Sequence, residues 1–233
     1  MSEPRQAIVT IDGPAGVGKS TISRLIAAEL GFTYLDTGSM YRAIAWALAK
    51  SGKAADEIGR DKGLAARLQD FAMELLPPLS DEEYGRVRIG NEVLGPELRT
   101  EEMSKMASAV SALPQVRTVL TAMQQRIGET GKVVAEGRDT GTVVFPSAAW
   151  KFFLDASPEE RARRRVRQLR ARGEAVPDEA ILLQNLIARD LADCNRTIAP
   201  LCPADDARLV DTTSLSITEA VKEMLSIIRA HPL

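Results

Sequence analysis

Eight consecutive residues carry the first chemical signal. Gly13, Pro14, Ala15, Gly16, Val17, Gly18, Lys19 and Ser20 spell G-x-x-x-x-G-K-[ST]. Glycines allow backbone N–H groups to curl around an oxyanion, and the start of a helix adds about half a positive charge. A lysine at the seventh position supplies a compact charge for β- and γ-phosphates, and the following hydroxyl can ligate a magnesium ion. An apolar run at 7–11 precedes the motif, and a helical pattern follows from Lys19 through Thr21 to residue 30. Strand before and amphipathic helix after is the setting this motif requires, so a nucleoside triphosphate is the expected ligand.

Arginines are the second signal. Arg161, Arg163, Arg164, Arg165, Arg167, Arg170 and Arg172 crowd one segment behind Pro158. A charge run of this kind is ordinarily a solvated helix face. Beside a phosphate cradle it has another use: closing over a phosphoryl group in transfer, excluding water and neutralising its equatorial oxygens. Arg42 follows Asp36, Thr37 and Gly38 at the head of a helical segment, and Arg138 lies in the run from Glu136 to Gly141, just past a strand. Ligands of open α/β sheets bind outside such strand ends. Arg189, Asp193 and Arg196 share a helix face by spacing, although an intrahelical ion pair accounts equally well for the first two.

Composition narrows the chemistry further. Of 233 residues, 45% are hydrophobic and only 4% aromatic, so the core must be aliphatic. The single histidine, His231, sits near the C-terminal end of the sequence, which excludes Ser-His-Asp, Cys-His and histidine-metal chemistry. Cys194 and Cys202 lack the spacing of a zinc site or a disulfide scaffold. A formal charge of -2 argues against a nucleic-acid motor. No N-K-x-D or L-S-G-G-Q sequence is present, as a switch GTPase or transport ATPase would need. A small-molecule kinase remains, with a non-catalytic NTP-binding module as the alternative from another class. No signal peptide and no bilayer-length apolar run is read, so a soluble cytoplasmic protein is expected.

The elements that must position these residues read as an α/β protein built on a parallel sheet. Strands are predicted at 7–11, 32–35, 132–135, 150–154 and 207–210. Helices are predicted at 19–30, 40–50, 102–112, 115–128, 158–172, 178–193 and 217–229. Residues 61–100 break the alternation: 84–89, Gly90-Asn91 and 92–94 read as an antiparallel hairpin within an insertion.

Taken together, the cradle, Asp36 to Gly38, Tyr41-Arg42, Glu136 to Asp139, Gly141 to Pro146, and the series Arg189, Asp193, Arg196 and Ala199 to Leu201 resemble the bacterial cytidylate (CMP/dCMP) kinases. The resemblance runs from about residue 7 to the last helix. It implies one P-loop kinase domain over 1–233 with a doubly wound parallel sheet. Within it lie a nucleoside-monophosphate-binding region at about 39–118 and a short arginine-rich helical lid at about 157–177.

The implied reaction moves the γ-phosphoryl of ATP to CMP or dCMP with magnesium. UMP and AMP kinases are the alternatives within the fold. Carried over by position, residues 13–21 would bind ATP. Thr37, Arg42, Arg138 and Arg196 would surround the acceptor phosphate, with Arg189 and Asp193 on the sugar and phosphate side. Ser108, Arg117 and Asp139 would read the base. Lys19, Arg138, Arg161 and Arg165 would act on the transferring group. Ser20, and Glu136 through water, would hold magnesium, with Asp155 the second choice of acid. The resemblance implies a monomer that uses these small molecules and neither nucleic acid nor membrane.

Overall fold

The computed structural model describes residues 6–50, 55–61, 63–69, 72–77 and 85–231. They fall into two compact units, Met1–Leu35 with Gly128–Leu233, and Asp36–Ile127.

The first unit is built on a five-stranded sheet in the order β2-β6-β1-β7-β8. Its strands are β1 (Gln6–Asp12), β2 (Thr33–Asp36), β6 (Val133–Gly137), β7 (Ala148–Asp155) and β8 (Arg208–Asp211). β1 pairs in parallel with both β6 and β7, and β8 in parallel with β7. A parallel strand covered on both faces reads as an unbroken apolar run, which is why the last five residues of β1 are all buried. Helices α1 (Lys19–Leu30), α7 (Pro158–Ala171), α8 (Glu179–Cys194) and α9 (Ile217–Ala230) complete the unit.

Ile11, Ile22, Ile26, Phe152, Leu154 and Met224 meet in the core beneath the phosphate-loop sequence. A smaller apolar cluster of Val166, Leu169 and Leu182 joins α7 to α8. Helix α9 is started by a reciprocal cap, Ser216 with Glu219. Cys194 and Cys202 are free thiols at the surface.

The second unit contains α2 (Thr37–Ala49), two short helices α3 (Ala55–Gly59) and α4 (Leu64–Gln69), and a three-stranded sheet. It ends in a 3-10 turn (Pro96–Arg99), α5 (Glu101–Val110) and α6 (Pro114–Gly128), which begins on its proline. The sheet is β3 (Met73–Leu76), β4 (Arg86–Ile89) and β5 (Glu92–Leu94), all antiparallel.

Two corrections to the sequence reading arise here. Two strands are read from the pattern where the structure has three, and two short helices precede them. Met-Glu-Leu-Leu favours a helix in isolation. It is a strand because it pairs with β4, where Glu74 sits opposite Arg88 in an ion pair of 2.6 Å. Residue 84, the start of the hairpin as read, lies outside the described residues.

Candidate active site

The phosphate loop leaves β1 at its carboxyl end, where the order of the sheet reverses. Gly13 has φ 143°, and a Cβ there would lie 2.0 Å from the Leu154 carbonyl oxygen. Only glycine permits that approach. Gly18 begins α1 with no side chain capping the helix, so no side chain competes for its first N–H groups. The Lys19 ammonium folds back over the loop and donates to the carbonyls of Gly13 (2.7 Å) and Pro14 (2.5 Å). Burial and the charge of Arg138 push the Lys19 pKa well below its ordinary value, while Glu136 and Asp12 pull the other way.

Glu136, at the end of β6, is buried and accepts from two hydroxyls. Ser20 donates to one carboxylate oxygen at 3.0 Å and Tyr34 to the other. A hydroxyl and a carboxylate held side by side at the cradle are oxygen donors of the kind a hard cation takes. Asp155, the second choice of acid, is exposed and caps the N–H of Ala156 instead.

Arg138 and Asp139 continue the same chain. The Arg138 Nε donates to Asp193 at 2.9 Å, and Arg196 donates to the other oxygen of Asp193. Burial opposes ionisation of Asp193, yet Arg138, Arg196 and Arg189 outweigh it and hold the carboxyl below its usual range. Asp139 is buried at the head of a π-helical turn (Thr140–Val144).

Asp12 fixes that turn. Its carboxylate accepts from the Thr140 N–H (2.9 Å), the Thr140 hydroxyl (2.9 Å) and the Gly141 N–H (2.8 Å). Burial, with no arginine donating to it, pushes the Asp12 pKa up to about 6. From the sequence Asp12 reads only as the end of the first strand, with no role in the site. Its partners lie 128 and 129 positions away, and an Asp-Gly pair at a strand end reads as an ordinary turn.

The α7 arginines divide. Arg161 is buried and turned inward, donating to the carbonyls of Ala156 (3.0 Å) and Ala15 (3.2 Å) and pairing with Asp190 at 2.5 Å. Arg165, half-buried, donates to Gln168 on its own helix at 2.7 Å. Arg164 reaches the phosphate-loop carbonyl of Val17 (3.3 Å) and also Thr212, and so braces the loop. Nothing in the run of seven arginines marks it out beforehand.

In the second unit Asp36 caps α2, accepting from the Ser39 N–H at 2.9 Å. It also accepts from Arg42 (3.3 Å) and Arg99 (2.7 Å). Burial opposes its ionisation, but Arg99 and Arg42 hold its carboxyl far below the usual range. Thr37 is buried in the first turn of the same helix. Arg117 is buried, donates to the Ser111 carbonyl at 3.1 Å and lies over the Tyr41 ring at 5.7 Å. Ser108 is half-buried on α5, and its carbonyl accepts from the Ser111 hydroxyl. Thus Lys19, Ser20, Glu136, Arg138, Asp139, Arg161, Arg165, Arg189, Asp193 and Arg196 belong to the first unit. Thr37, Arg42, Ser108 and Arg117 belong to the second.

A family-wide sequence model described as cytidylate kinase matches residues 9–230. The chain belongs to the cytidylate kinase family. A cytidylate kinase of Oleidesulfovibrio alaskensis is 47% identical over 219 residues, covering 94% of this chain and 96% of that one. A cytidylate kinase of Nitratidesulfovibrio vulgaris is 47% identical over 230 residues, covering 96% and 93%. Among solved structures, an uncharacterized protein from Eubacterium ventriosum superposes with TM-score 0.51 at 11% identity, covering 97% and 99% of the two chains. That likeness speaks to the α/β fold alone. The cytidylate kinase match spans both units, including the residues that form the phosphate loop, the Glu136 to Asp139 run and the Asp36 cap.

Proposed function

We infer that this chain transfers the γ-phosphoryl group of ATP to CMP or dCMP, producing ADP and CDP or dCDP. The observation that carries the reading is the phosphate loop with its buried Lys19, set in a chain that matches the cytidylate kinase family from residue 9 to residue 230.

The Lys19 ammonium is parked on two neutral carbonyls rather than on a carboxylate, so no ion pair has to break when it turns to a phosphate. An incoming polyphosphate favours the charged ammonium, offsetting the burial that opposes it. The loop N–H groups and Lys19 hold the donor, and Thr21 stands in the first turn of α1 beside them. Ser20 and, through water, Glu136 would hold magnesium, which supplies charge neutralisation of the β- and γ-phosphates when bound.

The attacking oxygen belongs to an anionic phosphate, so the protein need not remove a proton, in keeping with a chain whose only histidine is His231. Thr37, Arg42, Arg138 and Arg196 serve the acceptor phosphate, and Arg189 and Asp193 its sugar side. Asp139 accepts from the cytosine 4-amino group, and Arg117 donates to ring N3 and the 2-carbonyl, with Ser108 beside them. Uracil reverses the polarity at positions 3 and 4, so the same groups oppose it. Arg161 and Arg165 act on the transferring group, and closure of the 157–177 segment excludes water. The reading is of a cytoplasmic monomer acting on small molecules, without nucleic acid or membrane. Among the described residues no helix is long and apolar enough to cross a bilayer.

The test is ADP release with ATP and magnesium across CMP, dCMP, UMP, AMP and shikimate. CMP and dCMP should be used best by kcat/KM. Preference for UMP or AMP overturns the acceptor, and no release with any acceptor returns the chain to a binding module. Lys19→Ala, folded by circular dichroism, should lose at least about a thousandfold in kcat; near-normal turnover would overturn the role of the loop.

A further inference from the structure

A helical turn begins with backbone N–H groups that have no carbonyl partner, and an aspartate at its head ordinarily accepts from them. The π-helical turn Thr140–Val144 begins on Asp139, yet the Asp139 side chain does not cap it. Asp12 caps it instead, from another strand. One Asp12 oxygen accepts from the Thr140 N–H and hydroxyl, both at 2.9 Å, and the other accepts from the Gly141 N–H at 2.8 Å. The aspartate assigned to the base is thus not spent on the turn that it begins.

Asp12 is a firm support for that task. It closes β1, the central strand, in register with Gly137 of β6 on one side and Phe153 of β7 on the other, and it is buried. The turn sits tightly on this strand: a Cβ at Gly141 would lie 2.9 Å from the Thr10 hydroxyl oxygen and 3.5 Å from the Asp12 carboxylate. Asp139 has φ −144° and ψ 21°, a conformation that neither strand nor helix enforces. Its place therefore depends on the end of β6 two residues before it and on the Asp12 bonds just after it. Each Asp12 oxygen accepts from a backbone N–H, which only a carboxylate can do. An amide offers one acceptor and turns its NH2 group towards a donor on the other side, leaving a buried N–H unsatisfied. Asp12 also directly precedes Gly13, so one residue ties the turn behind Asp139 to the loop that holds the donor.

We propose that Asp12 is a positioning residue for base selection: by capping the Thr140–Val144 turn in place of Asp139, it sets the point from which Asp139 meets the cytosine 4-amino group. The proposal deepens the function inferred above and rests on it. The charge of Asp12 is also felt at Lys19, on the donor side, where it bears on CMP and UMP alike. Only the placing of Asp139 bears on their ratio, and misplacement by about 1 Å can cost on the order of a hundredfold in rate.

The test is the ratio of kcat/KM for CMP to that for UMP in Asp12→Asn, Asp139→Asn and the double variant. Asp139→Asn should lower the ratio at least tenfold and Asp12→Asn at least fivefold. In the Asp139→Asn background, Asp12→Asn should lower it by less than a further twofold, because the residue it positions is already lost. A smaller fall in folded Asp12→Asn overturns the proposal, whatever the melting temperature, since a carboxylate that only stabilises the strand end leaves base choice alone. A further fall of twofold or more in the double variant also overturns it, because Asp12 would then act without Asp139. If Asp12→Asn does not fold, Gly141→Ala takes its place: it strains the same seat with Asp12 intact and should lower the ratio at least threefold, and a smaller fall overturns the proposal. A ratio unchanged in Asp139→Asn refutes the base assignment and the proposal with it, and wild-type protein that fails to use CMP refutes the functional reading itself. A lowered ratio in Asp139→Asn beside an unchanged one in Asp12→Asn refutes only the role of Asp12.

Discussion

Asp193 in one unit and Asp36 in the other are built on one plan. Each is a buried carboxylate that takes one arginine from a few positions away and another from far along the chain; α8 ends at Cys194, so Arg196 lies just past the helix rather than on the face its spacing suggests. Asp193 holds Arg196, three positions on, and Arg138, 55 positions back. Asp36 holds Arg42, six positions on, and Arg99, 63 positions on. Both carboxyls stay ionised against burial because arginine charge outweighs the loss of water. They differ in depth: the Asp193 side chain is 1% exposed and that of Asp36 10%. Asp36 also spends an oxygen capping α2, a task Asp193 does not have.

Asp12 is the informative contrast. It too is buried, but backbone and hydroxyl groups donate to it instead of guanidiniums, and its pKa moves the other way, up to about 6. Hydrogen bonds alone leave a buried carboxylate reluctant to ionise; arginines reverse that. The arginines are in turn held in place by the carboxylates they pair with.

Removing the holding charge should break the comparison most visibly. Asp193→Asn removes the buried carboxylate that pairs with Arg138 and Arg196 and should cost about 3–5 kcal/mol of unfolding free energy, read by chemical denaturation. Asp36→Asn should cost less, about 1–2 kcal/mol, because asparagine still caps α2 and the site is wetter. Equal losses would show that burial depth is not what separates the two clusters.

Acid titration sharpens the contrast with Asp12. A carboxyl whose pKa is raised on folding binds its proton more readily when folded, so stability falls as pH rises from 3.8 towards about 6. Asp36 and Asp193 have the opposite sign: their contribution is complete above the ordinary carboxylate range and is lost as pH falls through their depressed folded values. Between pH 7 and 5 the wild type should therefore gain about 1 kcal/mol that Asp12→Asn does not gain, measured as the difference in their pH–stability curves. Parallel curves would mean that Asp12 is not the group titrating.

The smallest change is expected where an arginine is held by no carboxylate. Arg165 donates to the neutral amide of Gln168, so Arg165→Ala should shift stability by no more than about 0.5 kcal/mol. Its kcat should fall by more than its KM for CMP rises if it acts on the transferring group. A stability loss rivalling that of Asp36→Asn would place Arg165 among the structural arginines.

What the sequence reveals of all this follows the distance between partners. The phosphate loop is legible because its glycines, Lys19 and Ser20 lie within eight residues and their order is dictated by one anion. Sheet strands with two buried faces are legible as apolar runs; β3 is not, since its residues prefer a helix and pairing with β4 overrides them. Arg99 and Asp12 each act on a partner more than sixty positions away, and neither has a local pattern to betray it. Arg161 is legible as an arginine near phosphate chemistry but not as one buried against Ala15 and Asp190, because helical spacing says nothing about which neighbour a long side chain will choose.

The arrangement of β1 has a consequence for how the chain is made. β1 occupies the centre of its sheet, but its two neighbours begin at residues 133 and 148. The whole of Asp36–Ile127 is translated in between as one uninterrupted stretch. At roughly 5–20 residues per second, a newly made β1 waits on the order of ten seconds before a partner strand leaves the ribosome. The inserted unit can assemble in that interval, since it is one continuous stretch of chain. Through that interval β1 presents two apolar faces and two open edges, a segment of the kind a nascent-chain chaperone covers.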